Sequence, residues 1–240
     1  MAPSTNIRAV LFDLDGTLRH NIPASTEMFF NFAAQLGVED SPERRWRAAR
    51  WTHYYWAQSP ELLADIELFK TLTVEFWIYY TQRSLVEFGC SLEQAQRLAP
   101  EMHTRMSEGY EPVDFVAEDV PPTLDRLKKI GFKLGIVSNR DKPFQDQLET
   151  LKLSEYFDLT VASCEVNAWK PDPAIFHYAV QQIGIPPQQA IYVGDNYYAD
   201  IVGARRAGLT AVLLDPDQLF PDAGCDTIKK ISDVLNLLEN

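Results

Sequence analysis

A short apolar segment near the start of the chain constrains the fold more than any other feature. Residues Ile7–Asp13 are mostly apolar, and the segment ends in polar residues before Gly16. Such a run, stopping at a tight loop, is typical of a strand buried inside a parallel sheet. Its partner strands must come from much later in the chain, because roughly 90 residues of mainly helical pattern follow it.

The helical block runs from about Pro23 to Tyr110 and carries clear helix-start signals. Ser41 and Ser59 each stand before a proline, which suits an N-cap followed by the first helical position. Ser91 begins a sequence that fits a capping box. We therefore expect a set of consecutive helices here, with few strands.

Helix and strand patterns alternate from about Asp119 onward. A helix is predicted over Pro121–Ile130, ending at a glycine. The predicted strands after it are Phe132–Ser138, Leu159–Ala162, Ala190–Val193 and Thr210–Leu214. This alternation predicts an α/β fold, with a parallel sheet covered on both faces and a helical insertion after the first strand.

Composition narrows the class of protein. The 240 residues are 46% apolar, and the net charge is −12, from 34 acidic and 22 basic residues. A sizeable core is possible, and the acidic balance argues against a nucleic-acid partner. Three cysteines without metal-site spacing favour free thiols in a reducing compartment. No secretion signal and no apolar run of the ~20 residues that span a bilayer are visible, so we expect a cytoplasmic protein without a membrane partner.

Polar side chains follow three of the predicted strands, at the point where each strand ends. Ligands of such sheets bind at the carboxyl ends of the strands. A lysine lies in the loop before the last of these strands, and a further acid follows five positions after its terminal aspartate. These residues are Asp13 and Asp15, Ser138 and Asn139, Lys170, Asp195, and Asp200.

The carboxylates in this set predict a magnesium site. Three converging carboxylates repel one another unless a cation neutralises them. Mg²⁺ prefers oxygen ligands and takes one or two carboxylates together with water and substrate phosphate. We expect Asp13 and Asp195 to be direct ligands. Alternation along an extended segment places Asp15 on the side of Asp13, where it could supply a proton while its backbone carbonyl faces the metal.

The same residues predict chemistry on a small phosphorylated substrate. An aspartate such as Asp13 can attack phosphorus and form an aspartyl-phosphate, which divides one hard step into two easier ones. Lys170 is a compact charge that suits neutralisation of the transferred group. Further donors would hold the phosphate or the substrate. The candidates are Ser138, Asn139, Arg140, and the backbone and side chains at Gly16 and Thr17.

Four motifs in this chain resemble those of the haloacid dehalogenase-like superfamily, in the same order. They are DLDGT at Asp13–Thr17, SN at Ser138–Asn139, KP at Lys170–Pro171 and GDNYYAD at Gly194–Asp200. The resemblance implies a Rossmann-like core formed by residues 1–20 and 112–240, with a helical cap domain over residues 21–111. It also implies a phosphatase that requires Mg²⁺.

The resemblance carries specific roles for the matched residues. It implies a nucleophile at Asp13, a general acid and base at Asp15, a phosphate ligand at Ser138, a charge-neutralising lysine at Lys170 and a magnesium ligand at Asp195. Asp200 matches an acid that supports the metal or the lysine without touching the substrate. After DGTL, many capped phosphatases read DS. This chain has Arg19-His20-Asn21 instead, so their substrate preferences do not carry over.

Three other functions fit parts of the same pattern. A carbon–halogen hydrolase would use the nucleophilic aspartate without a metal and would not need Asp15 as a proton donor. A phosphomutase would use the same residues, with a sugar hydroxyl in place of water. A non-catalytic regulator would bind a phosphorylated ligand, but it would be expected to lack Asp13 or Asp195. The oligomeric state is open.

Ten aromatic residues lie between Trp46 and Tyr80, inside the helical block. They could line a pocket for an apolar leaving group or form the core of a helical bundle. We favour the bundle core, since aromatic residues at helical spacing most often pack together.

Overall fold

A computed structural model of the chain describes residues 7–238. The chain divides into two compact units. One contains the chain up to His20 and from Asp114 onward, and the other contains Asn21–Val113. Within the described residues, no helix is both long and apolar enough to cross a membrane.

Two sheets are present in the described part of the chain. The main sheet has the strand order β5-β4-β1-β6-β7-β8, and all of its recorded pairings are parallel. β2 and β3 form a separate two-stranded sheet. The strands are β1 (Ala9–Phe12), β2 (His20–Ile22), β3 (Val113–Phe115), β4 (Lys133–Ser138), β5 (Leu159–Ala162), β6 (Ala190–Gly194), β7 (Thr210–Leu214) and β8 (Asp226–Ile228).

The α-helices of the described residues fall into a consecutive block and a set that alternates with strands. The block is α1 (Ser25–Gln35), α2 (Pro42–Trp56), α3 (Pro60–Phe69), α4 (Val74–Glu87) and α5 (Leu92–Gly109). The alternating set is α6 (Val120–Lys129), α7 (Gln145–Thr150), α8 (Ser163–Val166), α9 (Pro173–Ile183), α10 (Val202–Arg206) and α11 (Val234–Leu238).

β1 lies at the centre of the main sheet and is buried on both faces. Ala9 and Leu11 contribute to the hydrophobic cluster on one face, while Val10 and Phe12 contribute to the cluster on the other. This division follows from the alternation of side chains along a strand. α9 and α10 supply apolar residues to the first cluster, and α6 supplies them to the second. The predicted α/β class with a parallel sheet covered on both faces is confirmed.

Two predicted strands, β5 and β7, begin and end as expected, and β6 extends one residue further, to Gly194. Three strands were not predicted: β2, β3 and β8. Each is three residues long and lies outside the apolar runs. A strand that short carries too few positions for an alternating pattern to show.

The helical unit begins its helices where the sequence signals predict. The hydroxyls of Ser41, Ser59 and Ser91 each accept a hydrogen bond from the backbone amide three residues later, at 3.3, 3.0 and 3.2 Å. These bonds satisfy amides that otherwise have no partner in the first turn.

Most of the aromatic residues of this unit pack on one another, as interpreted from the sequence. Tyr55 and Phe76 are fully buried, and five further rings of the same stretch pack against them, those of Trp51, Trp56, Phe69, Trp77 and Tyr80. The Tyr55 hydroxyl donates to Asp65 at 3.0 Å. Trp46 differs, since it is 45% exposed.

Candidate active site

Three neighbouring strands bring the candidate residues to one edge of the main sheet. β1 pairs with β4 on one side and β6 on the other, and the three strands run parallel. Asp13 follows β1, and its backbone amide donates to Val193 of β6 at 2.9 Å. Ser138 ends β4, and Asp195 directly follows β6. The side chains that follow the strands therefore meet where a parallel α/β sheet binds its ligands.

Lys170 lies at the centre of a buried group of polar residues. Its Nζ donates to Asp13 Oδ1 at 2.6 Å, to Asp200 Oδ1 at 2.7 Å and to the Tyr192 hydroxyl at 2.9 Å. Lys170 is 2% exposed, and Asp200 is 1% exposed. Burial alone would lower the pKa of Lys170, but the nearby carboxylates of Asp13 and Asp200 raise it well above its usual value. The lysine is therefore a fixed positive charge.

Asp13, Asp195 and Asp200 form a cluster of carboxylates in the described structure. One oxygen from each lies within 4.8 Å of the others. Burial raises the pKa of Asp13 to about 7, with Lys170 opposing the shift and Asp200 and Asp15 adding to it. Desolvation also raises the pKa of Asp195 well above its usual value, and Asp13 and Asp200 add to the effect. One lysine therefore does not neutralise the cluster.

These oxygens fit a hard divalent cation. Both oxygens of Asp200 already accept hydrogen bonds, Oδ1 from Lys170 and Oδ2 from the Asn196 amide at 2.9 Å. The carboxylates of Asp13 and Asp195 therefore remain to bind the cation. Within the described residues, Asp13 Oδ2 accepts no hydrogen bond, and Asp195 accepts one from the Thr17 hydroxyl at 2.9 Å. The set of oxygen donors suits Mg²⁺ better than a softer metal.

Glycines allow the acidic side chains to approach the backbone closely. Gly16 has φ +93°, and a Cβ there would collide with the Asp195 carboxylate. A Cβ on Gly194 would collide with the Asp200 side chain. Asp200 lies in a π-helix, Tyr197–Ile201, whose first turn is capped by the Asn196 side chain. Both glycines are therefore required by the packing of the site, and Gly16 also by its backbone conformation.

The side-chain amide of Asn139 fixes the backbone of the Lys170 loop. Its Oδ1 accepts from the Lys170 amide at 2.6 Å and from the Ser163 hydroxyl at 3.1 Å, and its Nδ2 donates to the Lys170 carbonyl at 2.9 Å. These bonds join the loop after β4 to the loop that carries Lys170. The side chain of Asn139 thus contacts the protein rather than facing the sheet edge as a free donor.

Asp15 is held by arginines outside the buried group. Arg140 donates to both of its oxygens, from Nε and Nη2, each at 2.7 Å. Arg19 donates to Oδ1 at 3.2 Å. The hydrogen bonds that Arg140 donates to Asp15 are the largest cause of the raised pKa of Arg140. This two-bond fork is the strongest geometry available to an arginine and a carboxylate.

The arginines extend this group into a closed ring. Arg19 donates to Asp114, Gln147 donates to Asp114, and Arg140 donates to the oxygen of Gln147. The hydrogen bond from Arg19, followed by that from Gln147, lowers the pKa of Asp114. The side chain of Asp15 is 38% exposed and that of Asp114 is 34% exposed. The ring is therefore much more open to water than the group around Lys170.

The structure brings together Asp13, Lys170, Asp195 and Asp200, and it places Ser138 at the end of the adjacent strand β4. Four of the groups expected to bind phosphate or substrate donate to protein atoms instead. The Gly16 amide donates to the Arg19 carbonyl at 2.8 Å. The Thr17 hydroxyl donates to the Asp195 carboxylate, and the Asn139 side-chain amide donates to the Lys170 carbonyl. The Arg140 guanidinium donates to the Asp15 carboxylate. Backbone carbonyls and the carboxylates of Asp15 and Asp195 compete for these donors, and the sequence does not show that competition.

Sequence reasoning did not single out Tyr192, Gln147 or Asp114. Tyr192 lies within an apolar strand and has the character of a core aromatic residue, although a buried tyrosine hydroxyl needs a hydrogen-bond partner. That requirement was the available signal for Tyr192. Nothing in the sequence signals Gln147 and Asp114, whose contacts join residues far apart in the chain.

Comparisons with known proteins agree with this arrangement. The family model described as haloacid dehalogenase-like hydrolase matches residues 7–208. Haloacid dehalogenase-like hydrolase domain-containing protein 3 of Bos taurus is 34% identical over 150 residues, which are 61% of this chain and 59% of that protein. The chain thus spans about six tenths of that relative.

Two further proteins match over most of their length. Phosphoglycolate phosphatase of Escherichia coli is 30% identical over 217 residues, covering 86% of this chain and 81% of that protein. The crystal structure of a 2-haloacid dehalogenase from Pseudomonas syringae matches 97% of this chain and 98% of its own, with a TM-score of 0.53 and 26% identity. Because the family model spans all four motifs and most of the chain, this protein belongs to the haloacid dehalogenase-like hydrolases.

Proposed function

We propose that this protein is a magnesium-dependent phosphatase that hydrolyses a small phosphorylated metabolite through an intermediate on Asp13. The observation that carries the proposal is the carboxylate cluster at the sheet edge, in which Asp13 and Asp200 are buried. Lys170 bonds two of its three carboxylates, and two of the three have oxygens for a cation. Such a site binds a metal and a dianionic phosphate group together.

In the first step, Asp13 acts as the nucleophile. Lys170 holds its Oδ1, so that Oδ2 is the oxygen left to attack. A bond forms between Oδ2 and phosphorus while the bond from phosphorus to the leaving oxygen breaks. Holding the nucleophile in one orientation favours this in-line displacement. Ser138, which ends β4, would donate to the phosphoryl oxygens.

Asp15 transfers the protons of the two steps. It donates a proton to the leaving oxygen in the first step, after one of its oxygens exchanges its bond from Arg140 for one to the substrate. In the second step, it accepts a proton from water as the water attacks phosphorus and Asp13 is released. Asp15 ends the cycle in the protonation state in which it began.

Asp13 and Asp195 would hold the Mg²⁺ ion, with the backbone carbonyl of Asp15 as a third ligand. Asp13 would bind through the second lone pair of Oδ1, the oxygen that Lys170 also holds, so that Oδ2 stays available for the attack. When bound, Mg²⁺ supplies positive charge that stabilises the developing charge on the phosphoryl oxygens. Asp200 would act from behind this set, since it orients Lys170 and accepts the Asn196 amide. Thr17 would orient Asp195 through its hydroxyl.

Relatives support the phosphatase over its alternatives only in part. The E. coli relative is named a phosphoglycolate phosphatase, and the P. syringae neighbour is named a dehalogenase. A metal-free dehalogenase would have no use for a carboxylate at Asp195 beside Asp13, because two unneutralised carboxylates at that distance oppose each other. A phosphomutase differs in the acceptor of the phosphoryl group, and product analysis separates it from a phosphatase.

The helical unit is proposed as the part that selects the substrate. The proposed catalytic residues all lie in the other unit, before His20 or after Asp114. Contacts to the leaving group, and not the catalytic residues themselves, would then decide which ester is hydrolysed. Replacing one apolar contact to the leaving group should change the preference between esters by roughly 10–200-fold.

A screen of phosphorylated metabolites tests the proposal. The purified protein is incubated with Mg²⁺ and each ester, and free phosphate is measured. We expect release from at least one small ester, loss of release with excess chelator, and recovery when Mg²⁺ is added back. Full turnover without metal would contradict the proposal. Transfer of phosphate to a sugar without release would indicate the phosphomutase.

A further inference from the structure

A tyrosine in the sheet contacts the buried lysine of the site. Tyr192 lies in the middle of β6 and is fully buried. Its hydroxyl accepts a hydrogen bond from Lys170 Nζ at 2.9 Å and donates to the Val137 carbonyl of β4 at 2.8 Å. β1 separates β6 from β4 in the sheet, so the side chain reaches past the strand that carries Asp13.

This hydroxyl completes the hydrogen bonding of Lys170. An ammonium group has three hydrogens, and the three acceptors around Nζ are Asp13, Asp200 and Tyr192. The third acceptor, the hydroxyl of Tyr192, is itself fixed by its bond to the backbone carbonyl of Val137. The phenol therefore gives Nζ a fixed point beside the two carboxylates.

Packing holds the tyrosine ring in place. The ring of Phe176 meets it edge to face, with centroids 4.9 Å apart and planes at 80°. Lys170 Nζ lies 5.5 Å from the ring centroid. A ring fixed on several sides keeps its hydroxyl at one point, which a flexible polar side chain would not do.

We propose that Tyr192 is a positioning residue for the nucleophile and acts through Lys170. Its hydroxyl holds Nζ so that Nζ fixes Asp13 Oδ1 and leaves Oδ2 directed to the phosphoryl group. The inference rests on the proposed phosphatase function. It assigns a role to a residue outside the four motif matches that carry the named catalytic roles. No covalent step involves Tyr192 itself.

Tyr192→Phe tests the proposal, with Tyr55→Phe as the matched control. Both tyrosines are fully buried with a hydrogen-bonded hydroxyl, and Tyr55 lies in the interior of the helical unit. We expect Tyr192→Phe to lower kcat roughly 10–100-fold, because a hydrogen bond to a charged group is lost at the reacting centre. KM should change little. The loss should be the same for aryl and alkyl phosphates, because the attack on phosphorus is affected rather than the leaving oxygen.

The position of Lys170 can also be measured without turnover. Lys170 is the one buried lysine among residues 7–238, so its ¹⁵N-labelled ammonium group should give a slowly exchanging NMR signal, assigned with Lys170→Met. Tyr192→Phe should shift this signal and speed its hydrogen exchange, and Tyr55→Phe should not. If the wild-type protein released no phosphate but the signal behaved in this way, the phosphatase proposal would be wrong. The hydrogen bond from Lys170 to Tyr192 would still be supported.

An unchanged kcat and an unchanged Lys170 signal in a folded Tyr192→Phe protein would overturn the inference. So would an equal loss of activity in both variants. If Tyr192→Phe does not fold, 4-aminophenylalanine introduced at position 192 keeps the ring and a donor for the Val137 carbonyl. Its amino nitrogen is a weaker acceptor than a phenol oxygen, so the same shift of the Lys170 signal and a smaller fall in kcat are expected. A signal and kcat equal to those of the wild type would reject the inference.

Discussion

Two groups of hydrogen-bonded polar residues form the site, and they differ in their access to water. The buried group is Lys170, Asp13, Asp200 and Tyr192, and the open ring is Asp15, Arg140, Gln147, Asp114 and Arg19. Lys170 and Asp200 are at most 2% exposed, whereas the side chains of Arg140 and Asp15 are 25% and 38% exposed. Charge–charge interactions are much stronger in the first setting than in the second.

The difference fits the two tasks that we propose for the site. A nucleophile must keep one orientation for every substrate, and a buried, fully hydrogen-bonded lysine provides that. A proton donor must move between its resting partner and a leaving group, and a half-exposed carboxylate can change partners at low cost. Changes in the buried group should therefore affect all substrates and stability, and changes in the open ring should affect leaving groups selectively.

The largest contrast is expected between Lys170→Met and Arg140→Met. Removing Lys170 leaves Asp13 and Asp200 buried together without their cation, which should destabilise the fold by about 3–5 kcal/mol and abolish activity. Removing Arg140 leaves a half-exposed Asp15, and the loss of stability should be about 1 kcal/mol or less. Chemical denaturation of both variants in metal-free buffer measures the difference. Equal losses would mean that burial does not separate the two groups.

Asp15→Asn should lower kcat by roughly 10²–10⁴-fold for an alkyl phosphate, because the proton donor is lost. The first step should suffer much less with an aryl or acyl phosphate, whose leaving group needs no proton. Single-turnover measurements with a series of leaving groups test this. A loss that does not depend on the leaving group would remove Asp15 from the role of acid and leave only a structural or basic role.

Arg140→Lys should have a smaller effect in the same direction. Lysine keeps the charge but cannot make the two parallel bonds to Asp15, so we expect roughly a tenfold loss on alkyl phosphates. Arg19→Gln is the matched control, because Arg19 makes a single bond of 3.2 Å to the same carboxylate. Its effect should stay within about threefold, because one long bond to a partly exposed carboxylate contributes little. If the two variants behaved alike, the fork would have no special part in placing Asp15.

The smallest effect in this series is expected for Asp195→Asn in the metal-free protein. That effect should concern the stability of the fold alone. The raised pKa values of Asp195 and Asp13 mean that the folded protein favours their protonated forms more than the unfolded chain does. Their contribution is therefore fully present below the usual pKa of about 4 and is lost as pH rises, for Asp13 through about 7.

The variant should accordingly melt higher than the wild type near pH 8, and the gap should close as pH falls toward 4. Each kcal/mol of relieved repulsion corresponds to on the order of 2–4 °C. Thermal melts with chelator across this pH range check the prediction. Excess Mg²⁺ should stabilise the wild type and not the variant.

The sequence predicted the buried group better than the open ring, for a physical reason. Asp13 and Asp195 each follow an apolar strand, and the geometry of parallel strands brings them together without further information. Asp15 and Arg140 are 125 residues apart, and both belong to loops. Which donor a loop carboxylate accepts depends on side-chain positions that no periodic pattern encodes. Tyr192 was missed because its ring fits the apolar pattern of the strand, and the pattern carries no signal for the hydroxyl at the end of the ring.

Similar limits apply to the fold. Apolar strands such as β1 and β7 were visible because burial on both faces demands a continuous apolar run. β8 pairs with β7 at the edge of the sheet, and its three residues carry no such demand. The turn at Gly16 was expected, but its amide bonds to Arg19 and not to a ligand, because the chain reverses within four residues.

The most direct test of the account is the identification of the residue that carries the phosphoryl group. The protein is mixed with Mg²⁺ and a reactive acyl or aryl phosphate, quenched in acid and reduced with borohydride, which converts an aspartyl-phosphate to homoserine. Peptide mapping then locates the change. The account predicts homoserine at position 13 in the wild type and none in Asp13→Asn. Phosphate release at the normal rate by Asp13→Asn, or homoserine at another aspartate, would contradict it.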